Sequence, residues 1–234
     1  MQQALQGQCK KGDIVATAVS QPQESLRAIM IETQLKPSGV TNPRTATAFF
    51  AVPREDFVTP AQQGIAYAEA EPEIGRGRRL LLPRSLGHLV EAANTKPTDK
   101  ALVIGAGTGY SAAILAELAG HVTALEAEAE LAEKARTLTS AWNNITVAEG
   151  PLEDGWAENA PYTLILFDGV IEEFPDKIAG QLADGGRMVA IVHHKGMSRA
   201  SIGHKSGNLL KLEPFVDATG PDIACFRKAP QFHF

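Results

Sequence analysis

The sequence predicts an α/β protein built on a mostly parallel sheet, with helices on both faces and an antiparallel hairpin at its C-terminal end. Three observations carry that reading. Short apolar, β-rich runs alternate with helix-like segments between residues 101 and 192, and strands spaced in this way need crossovers, which a parallel sheet supplies. A glycine-rich turn follows the first of these runs. Beyond Val192 the apolar runs are separated only by turn-length spacers, which suits antiparallel neighbours.

Taken in order, residues 1–22 are polar and aperiodic up to Pro22 and read as an unanchored tail. From Glu24 onward, Leu26, Ile29, Met30 and Thr33 recur at helical spacing until Pro37 and Gly39 stop the pattern. A second helix is expected over 43–50, capped by Thr41 or Asn42 and ended before Pro53. Residues 54–85 read as irregular. The chain thus divides into the tail, a helical and loop segment over 23–98 that forms one side of a site, and a sheet domain over 99–234. The expected strands are ALVIG (101–105), HVTALE (121–126), NITVAEG (144–150), YTLILFDG (162–169) and GRMVAIV (186–192), with helices over 111–118 and 127–138. SRASIGHK, NLLKLEPFVDA and IACFRKA read as the closing antiparallel strands. There is no internal repeat or low-complexity stretch.

Composition narrows the function. Twenty-two basic against 27 acidic residues give a net charge of -5, so no basic field is present to hold a phosphate backbone, and nucleic acid is not an expected partner. No apolar run approaches the roughly 20 residues that span a bilayer, and MQQALQGQCKKGD lacks the apolar centre of a signal peptide. A cytoplasmic protein is expected. Cys9 and Cys225 lie far apart without a CxxC pair, which fits a reducing compartment and offers no zinc site. His193 and His194, adjacent on an extended segment, point to opposite sides and make poor joint ligands, so no metal is expected.

The informative stretch is VIGAGTGYSAAIL, where Gly105, Gly107 and Gly109 stand between a buried strand and the start of a helix. Glycines there let the backbone turn tightly and approach a ligand, with free N–H groups aimed at it. Tyr110 occupies the place where a dinucleotide fingerprint carries its third glycine, so the spacing is GxGxG and argues against NAD. Glu126 ends the next strand, where a carboxylate accepts hydrogen bonds from both hydroxyls of a ribose. Loop and acid together indicate a nucleoside-containing cofactor. GxGxG, an acid ending strand two and a closing antiparallel hairpin are what Rossmann-like S-adenosyl-L-methionine-dependent methyltransferases carry.

A narrower resemblance covers most of residues 27–190. RAIMIETQLKPSGVTNPRTATAFFAVPREDFV, AYAEAEPEIGRG, VIGAGTGYSAAILAELAGHVTALE and QLADGGRMV, in that order, resemble protein-L-isoaspartate O-methyltransferases. The resemblance implies a class I methyltransferase fold, S-adenosyl-L-methionine as cofactor with S-adenosyl-L-homocysteine as product, and an isoaspartyl peptide or protein as acceptor in repair. Spacing and resemblance together put the cofactor on Gly105, Ala106, Gly107, Thr108, Gly109 and Tyr110, on Glu126 and Ala127, and on Leu152, Asp168 and Gly169. Tyr110 is most simply a packing residue. Trp142 and Trp156 are read as packing or rim residues.

The chain departs from the family pattern in places that matter. After the second glycine of IGxG the family reads Gln, Thr, Ile, Ser, Gln, Pro, where this chain has Arg78, Arg79, Leu80, Leu81, Leu82 and Pro83. The family serine helps to hold the acceptor carboxylate, and Leu81 has no hydroxyl to offer. Arg78, Arg79 or Arg84 is therefore a candidate clamp, with Arg84 and Ser85 favoured because they open the next helix. An acidic residue two places before the loop is replaced by Val103, and the family's GDG by Gly150, Pro151 and Leu152. These changes leave open a different acceptor, or a module that binds the cofactor without turnover.

Overall fold

The computed structural model describes residues 23–228; the expected tail over 1–22 lies outside them. The chain opens with α1 (Gln23–Met30), which runs into a wider π-type turn over Ile31–Leu35. This turn changes which side of the helix faces inward. Met30, Ile31 and Leu35 are buried, whereas Ile29 and Thr33, expected on the same stripe, face solvent. The π turn accommodates an extra residue and so breaks, from Ile31 onward, the 3.6-residue repeat that placed Thr33 inside, while Ile29 lies at the outer edge of α1 itself. Helix α2 (Pro43–Ala51) is capped as expected: the Asn42 side chain accepts from the Arg44 N–H at 2.9 Å.

The segment read as irregular contains more order than its composition suggests. A two-stranded hairpin, β1 (Glu73–Gly75) and β2 (Arg78–Arg79), turns at Gly75, Arg76 and Gly77, all with positive φ. Helix α3 (Pro83–Ala93) follows, with proline in its first turn and Asn94 in the left-handed conformation at its end. Glu91 of α3 accepts from the Thr41 and Asn42 N–H groups at 3.0 and 2.8 Å, which joins α3 to the start of α2.

The sheet is formed by β3 (Lys100–Ile104), β4 (His121–Glu126), β5 (Ile145–Glu149), β6 (Tyr162–Ile171), β7 (Leu182–His194), β8 (Met197–Ser206) and β9 (Leu209–Asp217). Helices α4 (Tyr110–Ala116) and α5 (Ala129–Leu138) link the first three strands, and the short α6 (Asp176–Ala179) precedes β7. Strand order is β5-β4-β3-β6-β7-β8-β9, with β3 to β7 parallel and β8 and β9 antiparallel. The closing antiparallel pair is therefore present as expected. The third closing strand is not: within that stretch Ala224–Phe226 form a short turn, which meets the end of β6 through the Ile223 N–H on the Val170 carbonyl and the Glu172 N–H on the Phe226 carbonyl, both at 2.9 Å. Gly220 and Pro221 ahead of it bend the chain across the sheet end instead of along it.

Because alternate residues of a strand face opposite sides, the core falls into two layers. Ala101 and Val103 of β3 join Leu164 and Leu166 of β6 on one side, with α1 to α5 packed over them. Leu102, Ile104, Ile165 and Phe167 face the other side, where Leu152, Ile178, Ile223 and Phe226 cover them. The first layer is covered by full helices and the second mainly by turns. The order β5-β4-β3-β6-β7 explains the division, since right-handed crossovers place connections on one face as the chain moves outward and on the other after it reverses. The reversal lies between β3 and β6, where open α/β sheets hold ligands beyond the carboxyl ends of the strands. Among the described residues no helix is long and apolar enough to cross a membrane.

At the opposite end of the sheet Asp99 fixes the frame. Arg187 of β7 donates to it at 2.5 and 3.1 Å, and also to the Ala93 and Asn94 carbonyls that end α3. Burial alone would raise the Asp99 carboxyl, but hydrogen bonds from Arg187, the Lys96 N–H and Thr163 hold it below its ordinary value. Both side chains are nearly buried, so removing one strands a charge. Arg187→Met is expected to lower the unfolding free energy by about 3 kcal/mol in urea melts at neutral pH. Asp99 is depressed, so its contribution is present above the ordinary carboxylate range and is lost as pH falls through its lower folded value. The difference between variant and wild type should shrink accordingly in acid.

Candidate functional site

The loop after β3 is built from three left-handed residues, Gly105, Gly107 and Gly109, with φ of 77, 58 and 96°. Two of them are also closely packed. A Cβ on Gly107 would lie 2.5 Å from Ile74 Cδ1, and one on Gly109 would lie 2.8 Å from Thr139. Glycine is thus required by conformation and by contact together. The Gly105 and Ala106 N–H groups both donate to the Leu125 carbonyl at 3.0 Å, which draws the loop against the end of β4.

Glu126 ends that strand and is wholly buried. Its carboxylate accepts from the N–H groups of Gly107 at 2.6 Å, Ala127 at 2.9 Å and Glu128 at 3.1 Å. Arg78 of β2 completes the set, donating Nη1 to Oε1 at 3.1 Å while its Nη2 donates to the Gly105 carbonyl at 3.0 Å. Ala127 contributes its backbone and is itself exposed. Leu152, buried, approaches the same loop: a Cβ on Gly105 would meet Arg78 Nη2 and Ile223 Cδ1 at 3.3 Å and Leu152 Cδ1 at 3.7 Å.

Asp168 and Gly169 lie on β6 across the reversal from the loop. Ser111 of α4 donates to Asp168 Oδ2 at 2.5 Å. Burial pushes the Asp168 carboxyl up to about 6, against the lowering effects of the Ser111 hydrogen bond and the Arg78 and Arg54 charges. Gly169 admits the C-terminal segment, since a Cβ there would lie 2.7 Å from Ile223 and 2.8 Å from the Pro221 carbonyl. Val170 donates to the Pro221 carbonyl and accepts from the Ile223 N–H, both at 2.9 Å. Phe226 packs edge-on against Phe167, with ring centroids 5.3 Å apart.

The loop is also joined to the VPREDFV segment. Thr108 Oγ1 donates to the Phe57 carbonyl at 2.6 Å, and the buried Tyr110 ring meets the Phe57 ring at 5.5 Å. Arg54, fully buried, lies over the other side of Tyr110 at 4.9 Å and donates to the Ala66 and Leu81 carbonyls at 2.7 and 2.6 Å. In this arrangement Tyr110 is buried against Phe57 and Arg54.

Comparison with known proteins bears on the whole of this arrangement. The family model described as protein-L-isoaspartate(D-aspartate) O-methyltransferase (PCMT) matches residues 26–213. The chain belongs to this family. It is 40% identical over 165 residues to a protein-L-isoaspartate O-methyltransferase of Koribacter versatilis (strain Ellin345), covering 70% of this chain and 74% of that one. To the protein of the same description from Picosynechococcus sp. it is 37% identical over 197 residues, covering 83% and 88%. Among solved structures, a protein-L-isoaspartate O-methyltransferase superposes with a TM-score of 0.72 at 23% identity, over 86% of this chain and 65% of that one. A Plasmodium falciparum structure described as a putative protein-L-isoaspartate O-methyltransferase, in complex with S-adenosyl-L-homocysteine, superposes at 0.70 with 16% identity, over 87% and 98%. These likenesses show the class I methyltransferase fold.

Within the family frame, the candidates for the acceptor side do not converge on one point. Leu81 is buried between the Arg54 guanidinium, which holds its carbonyl, and Gly220, where a Cβ would lie 2.3 Å from Leu81 Cδ2. Ser85 is buried and donates to the Thr219 carbonyl at 2.7 Å. Arg84 pairs with the half-exposed Glu69 at 3.2 Å, and Arg79 is exposed beside Glu71. Arg78 faces the glycine loop and Glu126. Trp156 flanks Gly150, and Trp142 donates to Glu117 at 2.7 Å. Sequence reasoning missed three features: the Arg78–Glu126 pair, the Ser111–Asp168 pair and Arg54. Of these only Arg54 left a signal, as an arginine inside the conspicuous VPREDFV run.

The Asp168 carboxyl stands above its ordinary value of 3.8 in the folded chain. Folding therefore favours its protonated form; the contribution is fully present below the ordinary value and is lost as pH rises through about 6. In urea melts, Asp168→Asn is expected to gain on the order of 2–3 kcal/mol on wild type between acid and neutral pH. A difference that does not vary with pH would contradict this account of Asp168.

Proposed function

We propose that this chain is an S-adenosyl-L-methionine-dependent protein carboxyl methyltransferase that esterifies isoaspartyl residues in peptides or proteins, the first step of their repair. The observation that carries the reading is the buried Glu126 carboxylate at the tip of β4, held against the glycine loop by the Gly107 N–H at 2.6 Å. Its acceptor chemistry fits a ribose: a carboxylate accepts a hydrogen bond from a ribose hydroxyl at a position that its backbone donors leave open. The cofactor supplies an electrophilic methyl on a sulfonium. The chain supplies position and dryness. Gly105 to Gly109 present backbone groups to the cofactor, Leu152 and Ile223 close the apolar side, and Asp168 stands across the strand reversal.

An acceptor carboxylate is already ionised at neutral pH, so no general base is obligatory, and the gain comes from alignment and exclusion of water. Residues 23–98 then form the acceptor side and 99–234 the cofactor side. Two cysteines without a CxxC pair suit the reducing cytoplasm for this activity. The buried Leu81 favours one second reading, a different carboxylate acceptor, because the wall there offers Arg54 only through a backbone carbonyl.

Incubation with methyl-labelled cofactor and matched aspartyl and isoaspartyl peptides separates the two. Label in the isoaspartyl peptide alone supports repair; label in both or neither removes it. Glu126→Ala is expected to weaken S-adenosyl-L-homocysteine binding by about 1.5–3 kcal/mol in calorimetry, and unaltered affinity would take away the ribose role.

A further inference from the structure

We propose that Arg78 competes with S-adenosyl-L-methionine for Glu126 and the Gly105 carbonyl, and so sets how tightly this chain holds its cofactor. The inference rests on the cofactor site proposed above. A carboxylate offers about four acceptor positions. On Glu126 three are taken by the N–H groups of Gly107, Ala127 and Glu128. These donors belong to the backbone and are fixed by the turn itself. Arg78 Nη1, at 3.1 and 3.4 Å from the two oxygens, is the one side-chain donor among them. Oε1 already accepts from the Ala127 and Glu128 N–H groups and Oε2 from that of Gly107, so the position left open is on Oε2, which Nη1 covers at 3.4 Å, and a ribose hydroxyl reaching it meets the guanidinium there.

The second contact has the same character. Arg78 Nη2 donates to the Gly105 carbonyl at 3.0 Å, on the loop where the backbone is bared for the ligand. One forked side chain thus spans the proposed ribose acceptor and a carbonyl of the glycine loop beside it, and planar guanidinium geometry makes the span rigid. Charge adds to the effect, because a sulfonium cofactor entering beside Arg78 meets a like charge while an ion pair is being broken.

The placement of Arg78 follows from its hairpin. The left-handed corner at Gly75, Arg76 and Gly77 carries β2 over the turn that follows β4. Arg76 reaches the same turn, 3.7 Å from Glu128, but both side chains are about half exposed, so this pair holds the hairpin only weakly. Arg78 is the strong contact: its partner is fully buried. Where the family pattern has a neutral glutamine, this chain carries the charge.

Isothermal titration of the full chain with S-adenosyl-L-methionine and with S-adenosyl-L-homocysteine tests the inference in wild type, Arg78→Gln, Arg78→Lys and Arg76→Gln. Removing a residue that only supported the site would weaken binding; removing a competitor tightens it. Arg78→Gln is expected to bind S-adenosyl-L-homocysteine about tenfold more tightly than wild type and S-adenosyl-L-methionine by more than that, and Arg76→Gln to stay within about twofold of wild type. Equal or weaker binding by Arg78→Gln, with wild type still binding, overturns the role of Arg78 and leaves the proposed function standing. Should no variant and no wild type bind either compound, the proposed function fails and this inference with it. If circular dichroism shows Arg78→Gln to be unfolded, Arg78→Lys decides in the same way, since it keeps the charge but cannot span both acceptors: tighter binding supports competition, and unchanged or weaker binding overturns it.

Discussion

The interaction on which the rest of the site depends is the burial of a charged carboxylate, Glu126, at the tip of a central strand. An ion removed from water costs several kcal/mol unless its lone pairs are met. Here they are met mainly by backbone, and backbone N–H groups converge on one point only if the chain around them is bent to do so. The positive φ at Gly105 and Gly107 and the turn from Glu126 to Glu128 are the shapes that make them converge. Loop and strand end therefore specify one another: a side chain on Gly107 would both strain the loop and collide with Ile74.

A second constraint ties this cradle to the VPREDFV segment. Thr108, inside the loop, donates its hydroxyl to the Phe57 carbonyl, and Tyr110, two residues on, packs against Phe57 and Arg54. Arg54 in turn holds the carbonyls of Ala66 and Leu81. A buried guanidinium that donates to two carbonyls in separate segments acts as a cross-brace, because breaking either bond leaves a charged donor without water. The wall around Leu81 and the glycine loop are thus joined through Arg54, Tyr110 and Phe57.

Which of this was legible in the sequence follows from the range of each interaction. The strands from β3 to β9, the glycine loop and Glu126 were readable because their signals are local: apolar runs, turn residues and a fixed spacing. Thr33 was misread because the π turn over Ile31–Leu35 shifts the helical repeat, and nothing in the composition announces it. IACFRKA has the residues of a strand, yet it meets the end of β6 through Val170 and Glu172, as the chain crosses the sheet end there. The pairs that charge the site join positions far apart, Ser111 with Asp168 and Arg78 with Glu126. Such pairings appear only once topology has brought β2, α4 and β6 to the carboxyl ends of the central strands. Leu81 was legible as a lost hydroxyl, but not as a side chain packed against Gly220.

The C-terminal segment gains its meaning from the charge balance of the proposed reaction. A cationic sulfonium and an anionic carboxylate become a neutral thioether and a neutral ester, so charge is annihilated along the reaction path. Water stabilises the separated ions of the ground state more than the transition state in which they are cancelling, and a drier site lowers that barrier. The strap that crosses β6 places Ile223 against Gly105 and Gly169, with Leu152 beside it and Phe226 sealed on Phe167. The raised Asp168 carboxyl is the physical signature of the same dryness, for burial dominates its shift despite two nearby guanidinium groups. The strap over Pro221–Phe226 thus supplies apolar cover on the face of the sheet where helices are few.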